Sequence, residues 1–222
     1  MTTTVALFDI AGTIISVNPW VFILTQPEID QSKVRWEKIR FIPTYYGNKL
    51  GLVSDVTFRH HWIVGMARLF KGWKRASVQK VFDRIVNQEL ADTYYPKILD
   101  RVAYHKQQGH LVILVSGMFD MLVQTFAERV GADIGLGTEL AFNSDVCAGK
   151  ITGPSFMGAR KVDAVNRALA ARQIEPDFAQ SYAYADSFSD IPLLASVGHP
   201  VATYPEQKLR THAENQGWDI LD

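Results

Sequence analysis

The run Val5-Ala6-Leu7-Phe8, apolar at every position and closed by Asp9, most limits what this chain can fold into. A strand that is apolar on both sides of its pleat offers no face to water. It belongs in a sheet covered on both surfaces, and such sheets are parallel. Leu111-Val112-Ile113-Leu114-Val115 ending at Ser116, and Ser181 to Ala185 ending at Asp186, have the same form. Helical spacing follows in Phe119, Leu122, Val123, Phe126 and Val130, with Gly131 as a stop, and again in Val162, Val165 and Leu169. This alternation predicts an α/β fold, a Rossmann-like parallel sheet wrapped by helices. Thr138 to Thr152, with Asn143-Ser144-Asp145 and Gly149-Lys150, predicts an antiparallel hairpin appended to the sheet edge. His199 to Thr203 reads as a further strand, followed by a helix through Leu209 and a closing strand near Trp218.

Residues 16–95 interrupt the pattern with a stretch lacking strong strand signals and rich in Trp, Phe, Lys and Arg. The expectation is a helical cap domain over 16–95, inserted into an α/β core made of residues 1–15 and 96–222. Trp20, Trp36, Trp62 and Trp73 are expected to fill the bundle's own core, with a pocket wall facing the sheet as the alternative. The insertion holds 12 Lys and Arg against 7 Asp and Glu, although the whole chain has a formal net charge of +0. That overall balance argues against a nucleic-acid binder. The single Cys147 permits no internal disulfide, and no basic region followed by an apolar stretch opens the chain. Trp20-Val21-Phe22-Ile23-Leu24 is far shorter than the roughly 20 residues that cross a bilayer. A cytoplasmic protein without a transmembrane segment is expected.

Open parallel sheets bind ligands at the carboxyl ends of their strands. Four separated pieces meet there: Asp9 with Gly12-Thr13, Ser116-Gly117, Lys161, and Asp186 with Asp190. Oxygen-only acids suit Mg²⁺, which binds through one or two carboxylates and takes further oxygens from water and phosphate. Ser116, ending its strand before a helix, and the backbone N–H groups near Gly117 suit phosphoryl oxygens, and Lys161 adds positive charge. His60 and His61 lack any third ligand at zinc spacing and are read as structural, and Cys147 has no evident base partner.

Together these segments resemble the haloacid dehalogenase-like phosphohydrolases, in particular the phosphoserine-phosphatase-like branch with a helical cap after the first motif. The matching segments are Asp9-Ile10-Ala11-Gly12-Thr13, Val115-Ser116-Gly117, Lys161 within Gly158-Ala159-Arg160-Lys161-Val162, and Tyr184-Ala185-Asp186-Ser187-Phe188-Ser189-Asp190. Gly149-Lys150-Ile151-Thr152-Gly153 and Asn215-Gln216-Gly217-Trp218 are similar to that branch as well. The resemblance implies that Asp9 attacks phosphorus and forms an aspartyl-phosphate, and that Mg²⁺ is held by Asp9, Asp186 and the backbone carbonyl of Ala11. It also implies that Asp190 positions Lys161 or a metal-bound water, that Ser116, Gly117 and Lys161 bind the phosphoryl group, and that the cap opens and closes over the site.

Position 11 departs from the family pattern. Most hydrolytic members have a second Asp there, which protonates the leaving alcohol and then activates water; Ala11 does neither. Three accounts stand open. The chain is a phosphatase disabled by replacement of a native Asp; or Ala11 is native and the chemistry is a phosphonoacetaldehyde-hydrolase-like P–C cleavage using a cap lysine, with Lys49 the candidate amine; or the chain is a non-catalytic binder of a phosphate ligand. The expected substrate is a small organic phosphate, with a lipid phosphate as a further candidate. Arg59 and the run Arg68-Leu69-Phe70-Lys71-Gly72-Trp73-Lys74-Arg75 are candidates to steer it or to touch an anionic membrane peripherally. Oligomeric state is left open.

Overall fold

The computed structural model describes residues 2–222. The first strand, β1 (Val5–Phe8), is followed by a wholly helical excursion: α1 (Pro19–Leu24), α2 (Gln31–Lys49), α3 (Asp55–Leu69) and α4 (Arg75–Arg84), then a π-helical turn over Ile85–Glu89 and a 3₁₀ turn over Ala91–Thr93. Side chains cap the first three starts. Asn18 accepts from the Trp20 N–H, Asp30 from Ser32 and Ser54 from Thr57, each satisfying a donor the helix leaves free. The chain leaves and re-enters the sheet region through two adjacent crossings, with Ser16 N–H donating to the Thr93 carbonyl at 2.9 Å and Tyr95 N–H to that of Ile14 at 2.9 Å.

Strands and helices then alternate: α5 (Pro96–Gln107), β2 (Leu111–Phe119), α6 (Asp120–Val130), β3 (Ile134–Thr138), the hairpin β4 (Leu140–Asn143) and β5 (Val146–Ile151), α7 (Ala159–Ala171), β6 (Tyr182–Ala185), α8 (Ile191–Leu194), β7 (His199–Thr203), α9 (Gln207–Gln216) and β8 (Asp219–Leu221). Gly131 closes α6 in the left-handed conformation. Six strands form one parallel sheet in the order β3-β2-β1-β6-β7-β8. Successive strands step outward from β1 in one direction and then outward from it in the other. The order therefore reverses at β1 and β6, which is where open α/β sheets leave a ligand crevice.

Two expectations need correction. The hairpin is a separate two-stranded sheet and not an extension of the main one. It pairs instead with the turn after α3: Gly72 N–H donates to the Cys147 carbonyl, Cys147 N–H to that of Trp73, and Arg75 N–H to that of Asp145, at 2.8–2.9 Å. The helical insertion also lacks a core of its own. Ile63, Phe70, Val81 and Phe82 are buried in one continuous cluster with Phe8, Leu114, Phe119 and Leu122 from the sheet and its helix. Of the tryptophans, Trp20, Trp62 and Trp73 pack against this cluster, whereas Trp36 is 62% exposed.

Candidate active site

Asp9 leaves β1 at the reversal point, its N–H bonded to the Tyr184 carbonyl of β6 at 3.0 Å. The next residues wind into a tight turn. The Ile10 carbonyl accepts from Thr13, Ile14 and Ile15, and Gly12 takes φ +88°. A Cβ at Gly12 would lie 2.1 Å from Asp186 Oδ2, so only glycine lets the two strand ends approach this closely. Thr13 donates to Asp186 Oδ1 at 3.3 Å and accepts from Thr203 at 3.3 Å, so the exit of β7 supports the exits of β1 and β6. Thr203 had not been singled out. Its signal was the one that marked Asp9 and Asp186, a polar residue closing an apolar strand.

Lys161, in the first turn of α7, is 4% exposed and reaches Asp9 Oδ1 and Asp190 Oδ1, both at 2.7 Å. Burial alone would discharge its amine, but the Asp190 and Asp9 carboxylates more than offset this and keep it protonated. Burial raises the Asp9 carboxyl, with Asp190 adding to the shift and Lys161 opposing it. Asp186 is pushed up to about 7 by burial and then by the charges of Asp9 and Asp190. Three carboxylates thus crowd one ammonium.

That imbalance tests the fit of a cation. The donors are all oxygen, negative charge is in excess, and buried Asp190 Oδ1 contacts Lys161 as an ion pair without a well-directed hydrogen bond. Among the described residues no cluster of three His, Cys, Asp or Glu side chains forms a ready-made metal cage. A hard cation that keeps most of its waters needs only one or two carboxylates, so the residues present fit Mg²⁺.

Ser116 and Gly117 are buried just past Leu114, the residue of β2 that pairs with Phe8 of β1, but β2 continues through them to Phe119, and α6 begins only at Asp120. Ser116 is therefore not at a helix N-terminus. The pairing of β2 with β3 shifts register between Val115 and Phe119, which sets residues 116–118 off the regular ladder. Thr138 donates to the Gly117 carbonyl at 2.9 Å and accepts from the Phe156 N–H at 3.1 Å, tying this stretch to the loop that leads into Lys161. His60 on α3 contacts buried Ser155 in the same loop at 3.3 Å, a link between insertion and sheet that the spacing of histidines did not reveal.

Other candidates lie elsewhere. Lys49 is exposed, its ammonium 4.8 Å from the Tyr45 ring centre, and its pKa is raised by that contact. A Schiff-base amine is favoured by the opposite setting, a desolvated pocket that lowers its pKa, so this exposed position gives the lysine-based reading no support. Arg68 pairs with Glu37 at 2.7 Å, Phe70 is fully buried, and Arg75 lies over the Phe142 ring at 3.9 Å. The run 68–75 thus forms the joint with the hairpin, with Lys71, Lys74 and Arg75 left exposed. Cys147 is buried and its thiol pKa raised by burial, which leaves it inert.

Comparison with known proteins bears on the family and the fold. Residues 6–195 match the model of the haloacid dehalogenase-like hydrolases. A Streptomyces azureus protein named for inhibition of morphological differentiation is 31% identical over 158 residues, covering 71% of this chain and 56% of that protein. A phosphoserine phosphatase of Mycobacterium tuberculosis is 30% identical over 152 residues, covering 68% of this chain and 49% of the relative. The chain thus spans about half the length of each. A Bordetella pertussis crystal structure of unknown function superposes with a TM-score of 0.83 at 23% identity, covering 100% of this chain and 99% of that one.

Proposed function

The chain belongs to the haloacid dehalogenase-like hydrolase family, and from that premise we propose that it is a phosphatase acting on a small organic phosphate through Asp9. The observation that carries this reading is the Lys161 ammonium held 2.7 Å from both Asp9 and Asp190 where the strand order reverses. An Asp9 oxygen attacks phosphorus, the ester bond breaks, and the alcohol leaves as its oxygen takes up a proton. Water then hydrolyses the acyl phosphate, returning the carboxylate and inorganic phosphate. Lys161 balances charge on the transferring group, assisted by the Ser116 hydroxyl and the backbone at Gly117. Asp190 holds Lys161 in place. Asp9, Asp186 and the Ala11 carbonyl would hold Mg²⁺, which supplies Lewis-acid neutralisation of the phosphoryl oxygens.

With alanine at position 11, the leaving oxygen and the attacking water both lack a positioned acid or base. Hydrolysis by the chain as written is slowed by about 10²- to 10⁴-fold. The test is Mg²⁺-dependent phosphate release from a panel of organic and lipid phosphates, comparing the chain with its Ala11→Asp and Ala11→Asp/Asp9→Asn forms. Ala11→Asp raises the rate by that factor and Asp9→Asn removes the gain. Absence of metal-dependent release from the Ala11→Asp form on every compound overturns the reading in favour of a phosphate-ligand binder.

A further inference from the structure

A helix of a water-soluble fold normally shows one apolar stripe, turned inward, and α2 has two apolar sides. Val34 and Phe41 face the protein, Phe41 meeting Phe58 and Trp62 of α3 at ring separations of 4.9 and 5.1 Å. At 3.6 residues per turn, Trp36, Ile39, Pro43, Tyr46 and Leu50 fall on the opposite side, with Ile42 at its margin. These are not buried: Trp36 is 62% exposed, Ile39 48%, Ile42 49%, Tyr46 58% and Leu50 73%, and at the tip Leu52 is 80% exposed and Val56 47%. Scattered exposed leucines need no explanation, but a contiguous stripe along a 19-residue helix does.

The margins of the stripe are basic. Lys38 and Lys49 border one side, Lys33 and Arg40 the other, and Arg35 sits within it, all exposed. The single acid of α2, Glu37, is turned inward, where it holds Arg40 at 3.0 Å and Arg68 at 2.7 Å. Docking this face on its counterpart in a second copy would set lysine rims against lysine rims along the helix, where exposed acids stand only at the two ends, Asp30 and Asp55. Like-charge juxtaposition disfavours that partner.

We propose that the outer face of α2, together with the tip at Leu52 and Val56, docks on an anionic lipid bilayer. Aliphatic side chains enter the acyl boundary, Trp36 and Tyr46 sit at headgroup depth, and the flanking lysines and arginines reach the lipid phosphates. The helix lies in the interface; no helix among the described residues is long and apolar enough to cross. The assignment does not depend on the reaction the site performs.

Sedimentation of the full chain with vesicles of phosphatidylcholine, with and without phosphatidylglycerol, tests it. The chain binds the phosphatidylglycerol vesicles at low ionic strength, releases as salt is raised, and stays near background on phosphatidylcholine alone. Leu50→Ser/Leu52→Ser, at positions with little packing to lose, lowers partitioning by about 10-fold or more, and Lys38→Glu/Lys49→Glu removes the preference for the anionic lipid; circular dichroism of both variants matches the parent. Failure to bind phosphatidylglycerol vesicles at low salt, or undiminished binding by the leucine variant, overturns the proposal. So does a dimer seen by light scattering that Trp36→Ser dissolves, which would assign the face to a second copy.

Discussion

The strand-end site and the outer face of α2 invert the usual placement of residues in opposite senses. At the site, three carboxylates and a lysine are drawn into the protein, with Asp9, Lys161 and Asp190 each no more than 6% exposed. On α2, tryptophan, isoleucine, tyrosine and leucine are left outside. Burying charge without full compensation and exposing apolar surface both oppose folding, and both persist where something absent from the chain completes them. A cation and a phosphoryl group suit the first region, and a lipid surface the second.

The contrast can be broken at its strongest point. Lys161→Met removes the only ammonium among the described residues that contacts Asp9 and Asp190 and leaves two buried carboxylates without that counter-charge, which should lower stability by about 3–5 kcal/mol. Urea unfolding in the presence of a chelator measures this, and a variant as stable as the parent would mean that the acids are better hydrated than their burial indicates. A smaller loss sharpens the account of the turn. Gly12→Ala combines a left-handed φ of +88° with a Cβ 2.1 Å from Asp186 Oδ2, and about 2–3 kcal/mol is expected with displacement of the Asp186 carboxylate. Thermal unfolding with and without added Mg²⁺ reads both effects, because displaced Asp186 weakens any metal-dependent rise in melting temperature. The smallest effect belongs to α2. Trp36→Ser should change stability by no more than about 0.5 kcal/mol in the same urea assay, since its ring packs on little. A loss of several kcal/mol would show that this face is part of the folding core.

Much of the site was readable because its residues stand in fixed local relation to strands. An apolar strand buried on both faces ends where the first polar side chain emerges, so Asp9, Ser116 and Asp186 were located by local pattern, and the parallel order of the sheet brings their ends to one side. Lys161 followed from its place in the family-like segment opening α7. The environment of Ser116 was misread because an irregular strand end and a helix start share the same Ser-Gly signal. The hairpin was placed on the wrong partner for a similar reason: turn residues specify where β4 and β5 reverse, but not which exposed backbone they meet, and Gly72–Arg75 supplied it. Basic and aromatic composition pointed to residues 68–75, where Phe70 is buried and Arg68 and Arg75 meet Glu37 and Phe142, while Lys71 and Lys74 stay exposed.

What the sequence determined by itself was therefore the alternation of strand and helix, the parallel sheet, and the polar residues that close its strands, since these depend on short-range periodicity and on where apolar runs stop, whereas Lys161 on α7 was marked by its family-like segment alone. Only the tertiary structure decided how Lys161 is shared between Asp9 and Asp190, that Thr203 supports Thr13, that Lys49 is exposed against the Tyr45 ring, and which side of α2 stays outside. Those outcomes depend on contacts between residues far apart in the chain. Trp36 and Trp62 look alike in sequence, and burial separates them because α3 covers one side of α2 and nothing among the described residues covers the other.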